Sequence, residues 1–308
     1  MRVLVLGAGA VGGYFGGRLL EAGVDVTFLV REGRAEQLRK NGLAIRSSNG
    51  NATLDNPAIV TARDTSQFDL VILSSKAYDL DSAIESITPA VGPATVVLPL
   101  LNGLRHMDAL DARFGSGRVI GGFCAIAATL DPDGTIVHLN RLHELRFGER
   151  GGGMSERIIA IERLMAPAAM DAKPSATILH DMWEKWVMLS TLAGVTCLMR
   201  ASIGDILSAP GGEELILQLL DECTAVASAH GYAPRATSLE RMRTILTEPG
   251  STFTASMLRD IERGGRIEAD HVVGDLIARG EQKSIRTPLL STAFCHLKAY
   301  EQRRASNS

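Results

Sequence analysis

The sequence of 308 residues is poor in cysteine and in aromatic residues, and it has no large excess of charge of either sign. Its four cysteines lie far apart without a CxxC pair, so neither a disulfide framework nor a zinc-binding cysteine motif is indicated. The formal net charge of −3 gives no electrostatic reason to expect binding to nucleic acid or to an acidic membrane surface. Four widely separated cysteines without such a motif are typical of reduced thiols in a cytoplasmic protein.

Long hydrophobic runs and metal-binding patterns are also missing. The longest uncharged apolar stretch, residues 186–199, is shorter than the roughly 18 residues that a membrane-spanning helix needs. The seven histidines form neither an HExxH motif nor a cluster with cysteine, so we expect no metal site. With 45% hydrophobic and 22% charged residues, the chain has the composition of a globular protein long enough for two domains.

What the sequence does contain is a glycine motif at its start. The apolar run 2–6 predicts a buried parallel strand, and residues 10–20 predict a helix. In a GxGxxG turn between such elements, the first glycine permits the turn, the second leaves room for a pyrophosphate and the third lets the helix approach the strand. The free N–H groups at the start of the helix also favour phosphate. A dinucleotide site is therefore predicted at Gly7, Ala8, Gly9, Ala10, Val11 and Gly12.

The second predicted strand, residues 24–30, ends at Arg31, with Arg34 one helical turn further on. Enzymes that use NAD usually have an acidic residue at the end of this strand, whereas an arginine there suits the 2′-phosphate of NADP. Glu32 follows one residue late and leaves NAD as the alternative. The pattern favours NADP(H), although a solvated surface arginine would look the same.

Two later strand ends carry polar residues. The predicted strands 68–73 and 95–98 are followed by Lys76 and Asn102, respectively. In a doubly wound α/β sheet, ligands bind beyond the carboxyl ends of the strands, so both side chains are candidates for the cofactor site. An exposed loop lysine and an asparagine in a turn before glycine are the plain alternatives.

The remaining periodicity predicts two regions of different character. Up to residue 179 we expect helices at 35–41, 79–89 and 156–165, short strands within 43–60, a strand at 118–123, a turn at 131–134 and a last strand at 175–179. Beyond residue 181 only helices are expected, at 182–199, 212–230, 234–246, 252–263, 268–279 and 287–304. Apolar helices in this second half could serve a homodimer, but core packing explains them equally well.

Lys185 is the candidate proton donor in the helical half, because reduction of a carbonyl needs a group that protonates the developing alkoxide. Glu268 opens a later helix and could orient this lysine, and Ser256 lies near another helix start. Each also has an ordinary explanation: a lysine that reaches solvent from a helix start, an acidic residue at a helix N-terminus and a capping serine.

Several separate motifs resemble those of the ketopantoate reductase family, in the same order and over nearly the whole chain. They are GAGAVGG, SSKAYD, PLLNG, DPDGTIVH, MWEKW, SMLRDI with GGRIEAD, and SIRTP. The resemblance implies an α/β fold in which an N-terminal Rossmann-type domain, residues 1–179, binds NADP and an all-α C-terminal domain, residues 180–308, binds substrate. The implied reaction is the NADPH-dependent reduction of a 2-keto acid to a 2-hydroxy acid, as from ketopantoate to pantoate in pantothenate biosynthesis, in a cleft between the domains.

By position, the resemblance also assigns roles to the candidate residues. Lys185 resembles the general acid and Glu268 its partner, while Ser256 resembles the serine that holds the substrate carboxylate. Asn102 and Lys76 resemble cofactor-side and active-site groups, with Asn102 also near the substrate, and Arg31 resembles the residue that binds the 2′-phosphate.

Three positions depart from the family pattern, because Leu189, Ala193 and Phe253 stand where the family usually has asparagine. Apolar pockets discriminate hydroxylated substrates weakly, so we hypothesise a more apolar or differently shaped 2-keto acid as substrate. Two other functions stay open: a 3-hydroxyacid dehydrogenase, and a non-catalytic NADP-binding sensor that has kept the fold. The SMLRDI and IEAD segments argue against the dehydrogenase, and the missing asparagines keep the sensor in view.

Overall fold

A computed structural model describes residues 1–61 and 66–306. Contacts within the chain divide it into two units. The first comprises residues 1–101 and 106–179, and the second comprises residues 102–105 and 180–308. The short turn 102–105 thus groups with the helical unit, an arrangement that a single boundary along the chain does not describe.

The strands all belong to the first unit and form two five-stranded sheets. In chain order they are β1 (Val3–Leu6), β2 (Val26–Leu29), β3 (Leu43–Arg46), β4 (Ala52–Leu54), β5 (Ala58–Val60), β6 (Leu70–Leu73), β7 (Val96–Pro99), β8 (Gly121–Leu130), β9 (Ile136–Gly148) and β10 (Asp171–Pro174). The first sheet is parallel throughout, in the order β5-β2-β1-β6-β7. Its central strands are apolar runs that are buried along almost their whole length, as expected for a parallel sheet covered on both faces.

The second sheet has the order β10-β9-β3-β4, with β8 paired to β9 in a long antiparallel hairpin. The register of this hairpin shifts between Ile126 and Ala128. The described part of the first unit also contains five α-helices, the fourth of which begins at the junction with the second unit. They are α1 (Ala10–Glu21), α2 (Glu32–Asn41), α3 (Leu80–Ile87), α4 (Arg105–Phe114) and α5 (Glu156–Met165).

Helix α1 packs between the two sheets by means of a face made of glycine. A Cβ atom on Gly16 would lie 2.7 Å from the ring of Phe28 in β2, and one on Gly17 would lie 2.8 Å from Ile45 in β3. Each glycine lowers the helix propensity by about 1 kcal/mol relative to alanine. The close approach of a strand from each sheet is the physical reason why these glycines are present.

The second unit is helical. Its elements are α6 (Ile178–Met199), α7 (Ile203–Ser208), α8 (Gly212–Ala229), α9 (Ala236–Leu246), α10 (Ser256–Glu262), α11 (Asp275–Gln282) and α12 (Pro288–Ser306). A π-helical turn, Asp270–Gly274, leads directly into α11. Among the residues that the structure describes, no helix is long and apolar enough to cross a membrane.

The predicted α/β architecture, with a dinucleotide-binding fold followed by helices, is confirmed. The prediction of a strand at 175–179 is wrong. The edge strand β10 is Asp171–Pro174, a polar segment that pairs with β9, and α6 already begins at Ile178. Edge strands need little apolar character, so the apolar run just beyond the true strand was misleading.

The prediction of a helix over 252–263 is wrong in its first turn, because α10 begins only at Ser256. The backbone before α10 pairs with another segment instead of forming a helical turn. The Ser251 carbonyl accepts a hydrogen bond from the N–H of Gly204, and the Phe253 carbonyl accepts one from the N–H of Ile203. These two donors lie at the start of the short helix α7, which the sequence analysis did not predict.

Candidate active site

The glycine loop in the first unit has the geometry that a dinucleotide requires. Gly7 follows β1 with φ +91°, a conformation that strongly favours glycine. Gly9 is the N-cap of α1, and a Cβ atom built on it would have nothing within 4 Å. A Cβ atom on Gly12, by contrast, would collide with Ser74 Oγ and with the Gly7 carbonyl. The loop is therefore closely packed against the protein at Gly12 and open to a ligand at Gly9.

The start of α1 also suits an anion. Its first turn has no acidic residue, and no side chain caps it. The first N–H groups of a helix have no partner inside the helix and carry a partial positive charge, so they attract phosphate. The residues present, from Gly7 through Ala8, Ala10 and Val11 to Gly12, thus fit the pyrophosphate of a dinucleotide.

The two arginines that follow β2 have different environments. Arg34 is hydrogen-bonded to two backbone carbonyls of the protein. Its Nε donates to the Ala8 carbonyl at 2.9 Å, and its Nη1 donates to the Gly134 carbonyl at 2.9 Å. Burial lowers the pKa of Arg34 from its usual value. Arg31 is 79% exposed and forms an ion pair with Asp79 at 3.0 Å. Of the two, Arg31 is therefore the one that is accessible to a ligand.

The end of strand β6 brings further polar groups to the same sheet edge. Ser74 Oγ donates to the Leu6 carbonyl at 2.7 Å and so joins the ends of β6 and β1. The Ser75 hydroxyl is buried without a hydrogen-bond partner in the described structure, and the sequence analysis did not single it out. Lys76 is exposed and has an extended backbone just before a 3₁₀ turn, Ala77–Asp79.

In the second unit, the structure brings together two of the predicted site residues that are far apart in sequence. Lys185, half-buried on α6, donates from Nζ to Asn102 Oδ1 at 2.9 Å. A lysine ammonium that donates to an amide oxygen is held in one direction by that bond. This pair is the centre of the candidate site in the helical unit.

The π-helical turn contacts Asn102 and Trp186, the residue next to Lys185; the sequence predicted only a regular helix over 268–279 here. Its Val272 carbonyl accepts hydrogen bonds from Trp186 Nε1 at 2.8 Å and from Ser190 Oγ at 3.1 Å. Its His271 imidazole is hydrogen-bonded to the backbone of Asn102. Burial lowers the pKa of His271, although the carboxylates of Glu268 and Asp275 oppose that shift.

The other predicted site residues of this unit have varied exposure. Glu268 is only 8% exposed and lies two residues before the turn that carries His271. Ser256 is exposed and begins α10. Of the positions that depart from the family pattern, Phe253 is 41% exposed, Leu189 is half-buried and Ala193 is fully buried.

Comparisons with known proteins agree with this architecture. The family model "Ketopantoate reductase PanE/ApbA" matches residues 3–152, and the model of the C-terminal part of the same family matches residues 177–301. The chain is 41% identical to an uncharacterized oxidoreductase, YkpB, of Bacillus subtilis, over 98% of this chain and 99% of that protein.

Solved structures show the same fold. The crystal structure of 2-dehydropantoate 2-reductase from Geobacter metallireducens superposes with a TM-score of 0.89 at 28% identity, covering 97% of this chain and 99% of that one. D-mandelate dehydrogenase with NADH and anilino(oxo)acetate superposes with a TM-score of 0.88, covering 99% of this chain and all of that one, but at 20% identity this likeness concerns the fold alone. With both halves matched by its models, the chain belongs to the ketopantoate reductase family of oxidoreductases.

Proposed function

We propose that this protein reduces a 2-keto acid to the corresponding 2-hydroxy acid with NADPH, and that Lys185 is the general acid. The observation that carries the proposal is the 2.9 Å hydrogen bond from Lys185 Nζ to Asn102 Oδ1, because it fixes a proton donor in a family of oxidoreductases. The bound nicotinamide supplies the hydride that adds to the carbonyl carbon.

The roles of the chain's own residues follow from chemistry. As the carbonyl oxygen gains negative charge, Lys185 attracts it and transfers a proton to it, so that the hydroxyl forms without a free alkoxide. Asn102 holds the ammonium in place during this transfer. We assign Ser256 to the substrate carboxylate and the buried Glu268 to the support of Lys185.

The reaction is tested by following NADPH oxidation over a panel of 2-keto acids. Replacement of Lys185 by alanine should lower kcat by about 10²- to 10⁴-fold, the usual contribution of a general acid. Lys283, an exposed lysine of the same unit, offers the matched control, and Lys283→Ala should keep full activity. A kcat in Lys185→Ala that stays within about tenfold of the wild-type value would contradict the assignment.

The same assay separates the alternatives. A 3-hydroxyacid dehydrogenase would oxidise NADPH only when 3-keto acids, the oxidised forms of its 3-hydroxy acid substrates, are included in the panel. Tight NADPH binding without turnover of any candidate would instead indicate a cofactor-binding sensor.

We propose that the cofactor is NADP(H) because Arg31 lies exposed just after β2, where a 2′-phosphate is bound in dinucleotide-binding folds. Arg31→Ala should weaken NADPH binding about 10- to 100-fold, the size expected for a hydrogen bond to a charged group, and leave NADH binding unchanged. Arg39 lies on α2, the helix that begins directly after Arg31, and pairs with Glu32 at 3.1 Å, so Arg39→Ala is the control. Equal effects of Arg31→Ala on both cofactors would refute the preference.

The substrate that we propose is a more apolar 2-keto acid than ketopantoate. Leu189, one helical turn after Lys185, and Phe253 are apolar at positions where the family usually has asparagine, and an apolar pocket discriminates hydroxylated substrates weakly. We expect kcat/KM for 2-ketoisovalerate to exceed that for ketopantoate, and Leu189→Asn to shift the ratio towards ketopantoate. A clear preference of the wild-type protein for ketopantoate would overturn this choice.

A further inference from the structure

The π-helical turn Asp270–Gly274 joins both partners of the Lys185–Asn102 hydrogen bond. On one side, its Val272 carbonyl accepts from Trp186 Nε1, so the turn is attached to helix α6 directly beside Lys185. A second donor from the same helix, Ser190 Oγ, binds the same carbonyl at 3.1 Å. A π-turn leaves carbonyls out of the normal helical ladder, and such turns are frequent at functional sites.

On the other side, the turn grips the backbone that presents Asn102. The His271 imidazole is hydrogen-bonded to the Asn102 backbone. The next residue, Gly103, has φ +71°, and a Cβ atom on it would lie only 2.8 Å from the His271 carbonyl and 3.3 Å from Cδ2 of the His271 ring, so the ring itself lies against this turn. The Asn102–Gly103 turn therefore packs directly against His271.

We infer that His271 is a positioning residue: by donating a ring N–H to the backbone of Asn102, it fixes the direction in which Asn102 Oδ1 meets Lys185 Nζ. The catalytic part of this inference rests on the proposed function of Lys185. His271 itself is only 6% exposed, so it acts through Asn102 and does not need to touch the substrate.

The protonation state of His271 agrees with this role. When a ring N–H of histidine donates to a backbone carbonyl, the bond raises the pKa of the imidazole. The hydrogen bond with the Asn102 backbone raises the pKa of His271, so the ring is the donor in it. The charged groups that act on the ring are Glu268, Asp275 and Arg105. Because burial dominates and lowers the pKa of His271, the ring is neutral at neutral pH and carries a single N–H, which the bond to Asn102 uses.

The test replaces His271 by phenylalanine, which fills the space without an N–H, and by asparagine and glutamine, whose amides can replace the donor on either ring nitrogen. We expect His271→Phe to lower kcat about tenfold or more, since a misplacement of about 1 Å can cost on the order of 100-fold, with little change in the NADPH dissociation constant. At least one amide variant should restore most of kcat.

A matched control exists in the same unit. His230 Nε2 is hydrogen-bonded to the Arg279 carbonyl at 3.0 Å, so His230→Phe removes a bond between a histidine ring and a backbone carbonyl that involves neither Asn102 nor the π-helical turn. Unchanged kcat in His271→Phe would overturn the inference. Equal loss in the phenylalanine variant and both amide variants, or equal loss in His230→Phe, would also overturn it, because packing alone would then explain the effect.

A measurement without turnover separates this inference from the proposed function. The rate at which acetic anhydride acetylates Lys185, followed by peptide mass spectrometry, reports whether Asn102 still restrains the amine. We expect about a tenfold faster reaction in His271→Phe, as for the loss of a hydrogen bond to a charged group, and wild-type behaviour in the better amide variant. If no keto acid is turned over, this measurement still decides the role of His271, and an unchanged acetylation rate refutes it.

Discussion

Two alanine substitutions in the glycine loop should separate cofactor binding from stability. In Gly12→Ala the new methyl group meets the Gly7 carbonyl, a backbone atom that cannot move away cheaply. Such overpacking costs about 1–3 kcal/mol, and replacing a helical glycine returns up to about 1 kcal/mol. We therefore expect Gly12→Ala to lower the free energy of unfolding by about 1–2 kcal/mol and Tm by a few degrees.

In Gly9→Ala the methyl group points into open space, and the φ of −85° is allowed for alanine. The free energy of unfolding should change by no more than about 1 kcal/mol, the size of a capping effect. The same methyl group takes the space that we assign to the pyrophosphate. A clash of about 1–3 kcal/mol corresponds to a loss of affinity of roughly 5- to 150-fold.

Urea unfolding gives the stability of both variants, and titration of NADPH fluorescence gives their affinity. The expected pattern is a stable Gly9→Ala that binds NADPH poorly and a Gly12→Ala that is weakened in both respects. Wild-type affinity in Gly9→Ala would refute the placement of the pyrophosphate over this loop.

Two further predictions concern groups outside the site. In the native protein a thiol reagent should modify the exposed Cys295 first, because burial raises the pKa of Cys197 and of Cys223 to about 12; rapid modification of either would contradict this. The Arg157 guanidinium lowers the pKa of Glu149, so this pair stabilises the fold above the unfolded pKa of roughly 4.3, and the contribution is lost as the pH falls through the lower folded value. Urea unfolding of Glu149→Gln should accordingly vary less between about pH 5 and pH 3 than that of the wild type.

The sequence predicted the parts of the fold that local pattern controls. Helix α5 was predicted at its observed bounds, and the glycine loop at its observed place, because periodicity and glycine spacing are local properties. The start of α10 was missed because the carbonyl of Phe253 is taken by a hydrogen bond from Ile203, a partner that no local pattern reveals.

The sequence named the residues of the candidate site one by one but did not show how they contact one another. Lys185 and Asn102 were singled out separately, and only the structure joins them across a sequence separation of 83. His271 went unnoticed because a π-helical turn has no composition signal, and because its partner on the backbone of Asn102 has no side-chain identity to recognise.

The Arg34 guanidinium connects the glycine loop to the tip of the β8–β9 hairpin, because it donates hydrogen bonds to the carbonyls of Ala8 and Gly134. Neither segment can open locally without breaking a bond to the other, so deuterium uptake at the hairpin tip should report on events at Ala8. Saturation with cofactor is then expected to slow amide exchange at Gly134, at the tip of the hairpin.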